Sequence, residues 1–184
     1  MHDFCFKRGK LYCENVSVAS IAKKHGSPLY IYSYATLTKN FRQFDDALSP
    51  LDHSIHFAVK ANSNLGVLRT LANAGSGFDI VSGGELQRVI AAGANPSKCV
   101  FAGVGKTEEE IELALKKGIY AFTAESEPEM VRINKIARRL KKKASIAIRV
   151  NPNVDAKTHA KITTGTYENK FGIAFEEIEG VYER

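Results

Sequence analysis

Residues 57–62 read FAVKAN, an apolar run that ends on a lysine and then an asparagine. An ammonium group is costly to bury unpaired. Lys60 therefore either points into water just past a strand, as most lysines do, or stands where a strand opens onto a polar face and its amine is a reagent. Two further charges sit in strand-like runs. Asp79 is flanked by Phe78, Ile80 and Val81, and Arg149 falls near the end of ASIAIRV at 144–150. Charges in such runs need partners. A structural ion pair is the ordinary answer, and a polar site shared with Lys60 at one rim of a barrel is the other.

Two loops also invite a chemical reading. The stretch THAKITTGTYENKFGI at 158–173 is a long connection outside any core element, which is characteristic of a lid or binding loop. It is equally compatible with a solvated loop in which His159 has no role. GVGKT at 103–107 has the tail of a phosphate-binding loop. The full motif needs a glycine five places before Gly105, and that position is Val100, so no nucleotide cradle is expected.

The elements that must position these residues repeat along the chain. Past the first 30 residues, short apolar runs alternate with helical patterns at intervals of about 20 residues, the signature of β-α units around a parallel sheet. Strands are expected at 54–59, 77–82, 98–103, 119–124 and 144–150, with helices near 65–74, 83–92, 107–117 and 127–142. Gly75, Gly93 and Gly118 stand where left-handed caps are wanted, and Thr107 with Glu110 makes a capping box. Upstream, PLYIYS at 28–33 leads into a helix with Leu37, Phe41, Phe44 and Leu48 on one face. EEIEGVYER at the end reads as another amphipathic helix, which brings the count to five β-α units. The fold class is α/β. Either the units are part of a (β/α)8 barrel, which needs eight strands, or they form an open doubly wound sheet, and length alone does not decide. The lack of a G-x-G-x-x-G turn weighs against dinucleotide binding.

Composition narrows the classes further. With 184 residues, 44% hydrophobic and 25% charged, the chain suits one globular domain with a sizeable core. No run approaches the roughly 18 apolar residues of a membrane span, and MHDFCFKRGK lacks the apolar core of a secretion signal, so a cytoplasmic protein without a membrane partner is expected. Cys5, Cys13 and Cys99 are odd in number and without paired spacing, which favours free thiols and no metal site. The net charge is +6, and Arg138, Arg139, Lys141, Lys142 and Lys143 form the densest basic run. That run closes the helical pattern Val131, Ile133, Ile136, Ala137 and Leu140, where cations complement a helix C-terminus, so no nucleic-acid partner is expected.

Together these segments resemble a known family. FAVKANSNLGVLRTLANAG at 57–75 is similar to the attachment motif of the fold-type III pyridoxal-phosphate-dependent decarboxylases, and GFDIVSGGEL at 77–86 resembles that family's next unit. HAKITTG at 159–165 and NKFGI at 169–173 resemble a loop of the branch that acts on diaminopimelate, with Thr163 and Asn169 in place of serines. The resemblance implies a partial (β/α)8 barrel of the alanine racemase and decarboxylase type, with residues 1–27 as an N-terminal strand and helix and 28–184 as the barrel part. It implies pyridoxal 5'-phosphate as cofactor, carried on Lys60, with Asp79 and Arg149 in the cofactor site and His159, Thr163 and Thr164 in a substrate loop. The implied reaction is decarboxylation of meso-2,6-diaminopimelate to L-lysine by a homodimer. Related decarboxylases of other basic amino acids, and a non-catalytic module that binds a partner chain, are the competing readings. The family's phosphate-binding loops, ring-nitrogen partner, catalytic cysteine and C-terminal β-domain would lie beyond this chain, so the chain alone is expected to be inactive. Its strand near 10–14 would lack the partners that domain provides.

Overall fold

In the computed structural model, which describes residues 3–152 and 171–183, all five expected strands form, each shorter than its apolar run. The chain begins with β1 (Phe4–Lys7), β2 (Lys10–Cys13) and β3 (Val16–Ser17), an antiparallel meander in the order β1-β2-β3. The strand near 10–14 thus has partners on both sides, contrary to expectation: the turns after β1 and β2 are short enough for local pairing. Helix α1 (Val18–His25) follows, then α2 (Tyr34–Leu48). Two carboxylates tie the meander to the start of α2. Glu14 accepts from Ser33 Oγ at 2.8 Å and from the Ala35 amide at 3.0 Å, and Asp3 accepts from Thr36 Oγ1 at 2.8 Å.

Next come β4 (His56–Ala58), α3 (Leu65–Ala74), β5 (Gly77–Ile80), α4 (Gly83–Ala91), β6 (Cys99–Phe101), α5 (Glu108–Lys117), β7 (Ala121–Ala124), α6 (Glu127–Arg139) and β8 (Ile146–Ile148). The strands are parallel and lie in sequence order, β4-β5-β6-β7-β8. The helices neighbour one another in the same order, α2 on α3, α3 on α4, α4 on α5 and α5 on α6, so they form one layer on one face. A doubly wound sheet reverses its strand order and carries helices on both faces. An unreversed order under a single helical layer is instead an arc of a (β/α) barrel, which settles the choice that length left open.

Register makes the core. Ile80, Phe101, Phe122 and Ile146 align across four strands, with Phe101 and Phe122 stacked at 6.0 Å between ring centroids. This row packs with Leu68, Leu86, Val89, Ile111 and Ile133 of the helical layer. Strand alternation sends Ala58, Asp79, Val100 and Ala121, which also align, to the opposite face.

Local punctuation matches the sequence reading at α5, whose capping box is complete, and at Gly75 and Gly118, both left-handed helix caps. Phe44 does not join the core: it is 58% exposed, whereas Leu37 and Phe41 pack against it, because α2 lies at one end of the layer and presents only one side to it. The unit count also changes. After β8, β9 (Val150–Asn151) pairs in parallel with β10 (Ile173–Ala174), which leads through a 3-10 turn into α7 (Ile178–Glu183). The last helix therefore belongs to a sixth, very short strand that two residues could not announce by periodicity.

The basic run serves helix ends. Arg138 and Arg139 occupy the last turn of α6, Arg139 pairs with Glu112 at 2.7 Å, and Lys142 Nζ donates to Leu115 O at 2.8 Å at the end of α5. All three cysteines are free thiols, and burial pushes Cys99 up to about 12. Among the described residues, no helix is long and apolar enough to cross a membrane and no cluster of residues suits a metal ion.

Candidate active site

Strand β4 stops at Ala58, one residue earlier than its apolar run, because the chain tightens into a 3-10 turn over Val59–Ala61. Val59 is fully buried and pins that turn, so Lys60, the next residue, is thrown outward and is exposed. The asparagines that follow complete the junction: the Asn62 side chain accepts from the Asn64 amide at 3.0 Å, and Asn64 caps α3 by accepting from the Gly66 amide at 2.8 Å. An apolar run can thus end on an ammonium without burying it.

Asp79 lies beside Ala58 in the register, on the face away from the helices, two residues below the level of Lys60. Burial pushes its carboxyl above the ordinary value of 3.8, while Lys60 and then His56 pull it down. Among the described residues no ion pair or hydrogen bond holds it, so the structural salt bridge that would have explained it away is missing. Below 3.8 the folded and unfolded chains both carry the proton. As pH rises past that value the unfolded chain ionises first, so folding stability falls until the raised value is passed and is level above it. We expect Asp79→Asn protein to melt higher than the parent at neutral pH, with the advantage gone below 3.8. Melting curves across the acid range check this, and a lower melting temperature at neutral pH would contradict it.

Arg149 reaches the same end of the strands, just past β8. Its Nη1 donates to Glu125 Oε1 at 3.1 Å and Oε2 at 3.2 Å. Glu125 is 5% exposed at the side chain and follows β7, whereas the Arg149 side chain keeps 37% exposure. The guanidinium lies 5.2 Å from the Phe171 ring centroid, and the Arg149 carbonyl accepts from the Ile173 amide at 2.8 Å. Gly172 makes this approach possible: a Cβ there would lie 2.8 Å from the Arg149 carbonyl oxygen, at a φ of +86°. The FGI end of the NKFGI motif is therefore a clamp on Arg149. His159, Thr163 and Thr164 lie outside the described residues.

Sequence reasoning missed Glu125, Glu129 and the second life of Lys106. The GVGKT lysine is 2% exposed, and its Nζ donates to Gly103 O at 2.7 Å, Thr123 O at 2.8 Å and Glu129 Oε1 at 3.1 Å. The available signal was S-x-x-E at 126–129, the same helix-start pattern as 82–85, with Ser126 and Ser82 capping α6 and α4.

Lys60, Asp79 and Arg149 thus share the C-terminal end of a parallel arc, where barrel folds carry their chemistry. Residues 34–184 match the family model described as "Pyridoxal-dependent decarboxylase, pyridoxal binding domain". The chain belongs to that family. It is 56% identical over 95% of its length to a diaminopimelate decarboxylase of Vibrio cholerae and 50% identical over all of it to one of Pseudomonas aeruginosa, covering 42% and 44% of those proteins. It spans less than half the length of these curated relatives. Among solved structures it is similar to diaminopimelate decarboxylase from M. jannaschii in co-complex with L-lysine, with a TM-score of 0.89 and 34% identity over 100% of this chain and 45% of that one. The enzyme from Helicobacter pylori complexed with L-lysine gives a TM-score of 0.85 and 43% identity over 90% of this chain and 42% of that one. The pyridoxal-binding role of the family fits the residues present: an exposed amine able to condense with an aldehyde, a desolvated carboxyl that no hydrogen bond or ion pair holds among the described residues, and a half-exposed cation.

Proposed function

We propose that this chain supplies the attachment lysine and part of the cofactor pocket of a pyridoxal-phosphate-dependent decarboxylase that converts meso-2,6-diaminopimelate to L-lysine and carbon dioxide. The observation that carries the reading is Lys60, exposed at the mouth of the arc beside the electrostatically coupled Asp79. The substrate comes from the relatives, which are named for diaminopimelate, and from two similar structures that hold L-lysine.

In this reading Lys60 Nζ holds the cofactor covalently. Asp79, two residues below the level of Lys60, offers an acceptor or, when protonated, a donor, and its raised affinity for a proton favours the second. Arg149, whose side chain keeps 37% exposure, would present its guanidinium to an anionic oxygen. Bound pyridoxal phosphate supplies the electron sink that makes loss of the substrate carboxylate possible. His159, Thr163 and Thr164 are assigned to the substrate loop on the resemblance of their motif. The division into residues 1–27 and 28–184, the homodimer and the cytoplasmic setting belong to the same reading.

The test is carbon dioxide release by the protein in its full natural length. The meso isomer of diaminopimelate should be decarboxylated to lysine, with ornithine and arginine turned over far more slowly. Comparable or faster turnover of either would move the protein to another branch of the family.

A further inference from the structure

The buried Lys106 and Glu129 form an ion pair at 3.1 Å, with side-chain exposures of 1% and 7%. Burying both charges is costly, and an apolar pair of the same volume often serves stability as well or better. Lys106 Nζ also holds the Thr123 carbonyl at 2.8 Å, and two further bonds of the pair lead to one neighbour. Glu129 Oε2 accepts from the Glu125 amide at 2.7 Å, fixing the backbone at that residue. Lys106 Nζ holds the Gly103 carbonyl at 2.7 Å, and the Gly103 amide in turn donates to Glu125 Oε1 at 3.2 Å. Glu125 is thus gripped at its main chain by one member of the pair and at its carboxylate, through Gly103, by the other. Both oxygens of that carboxylate accept from Arg149 Nη1.

We propose that Lys106 and Glu129 are positioning residues: together they fix Glu125, and through it the orientation of the Arg149 guanidinium at the mouth of the arc. The proposal rests on the assignment of Arg149 to the pyridoxal phosphate site. A long cationic side chain that keeps 37% exposure would otherwise sample many rotamers, and a preset guanidinium loses less entropy when an anionic oxygen arrives. The arrangement also gives the GVGKT lysine a purpose.

The experiment is a set of mutant cycles in the full-length protein, read by the dissociation constant for pyridoxal phosphate in spectroscopic titrations and by melting temperature. Glu129→Gln should weaken binding about 10- to 100-fold, the range expected when a supporting shell is removed. In an Arg149→Met background the same substitution should change binding by less than about twofold, because what it positioned is gone. A purely structural pair would lower the melting temperature and leave affinity unchanged, or change it equally in both backgrounds, and either result overturns the proposal. The Lys106→Met/Glu129→Met double variant keeps volume and removes both charges, which guards against loss of the fold; weakened binding at a near-parental melting temperature supports the proposal, and parental binding overturns it. If Arg149→Met alone binds the cofactor as tightly as the parent, the site assignment fails and the proposal with it. If Arg149→Met weakens binding while the pair variants do not, only the proposal fails.

Discussion

If Lys60 carries the cofactor as proposed, replacing it with alanine should remove at least about a thousandfold of decarboxylase turnover in the full-length protein, because no other side chain could take over a covalent role. It leaves the fold intact. Lys60 is exposed in a turn anchored by the buried Val59, so alanine there should cost little packing. The two halves of this expectation are measured separately, turnover by carbon dioxide release and folding by melting temperature. Borohydride treatment of the cofactor-loaded protein followed by peptide mapping should place the reduced adduct on Lys60. Lys106 is the informative control, since it is 2% exposed and held by three acceptors. An adduct on Lys106, or retained turnover in Lys60→Ala, would refute the assignment.

The largest effect on stability is expected from Phe122→Ala, at about 3 to 5 kcal/mol. Phe122 is 1% exposed, stacks on Phe101 and is flanked in register by Phe101 on one strand and Ile146 on the other. Deleting the ring leaves a cavity between two rigid layers, and parallel strands locked by their ladders cannot close over it. Phe44→Ala is the matched control. The ring lost is the same, but at 58% exposure the change should fall within about half a kcal/mol. Urea titrations of the two variants give the comparison directly. Equal losses would mean that α2 packs against something other than the arc.

Much of this was legible in the sequence. The alternation of apolar runs and amphipathic patterns is enough to place five strands and four helices, because each unit must bury one face and announces it by period. The capping box at Thr107 and Glu110 and the glycine caps at Gly75 and Gly118 are local chemistry, readable from a few adjacent residues. β10 was not legible, since two residues carry no period, and Phe44 had the right spacing on a helix that lies at one end of its layer.

For the candidate site the division is sharper. Lys60 could be singled out because an ammonium at the end of an apolar run poses a question by itself, and the motifs around it point to the family that the comparisons establish. The sequence by itself therefore determined the repeating α/β architecture, the family and three of the charges at issue. Only the tertiary structure decided which charges meet. Strand order made the sheet an arc of a barrel, register set Asp79 beneath the level of Lys60, and Glu125 was brought to Arg149 across 24 residues of chain. The physical reason is that burial period and capping are properties of neighbours along the chain, whereas ion pairing depends on distances that only the packed sheet and its helices fix.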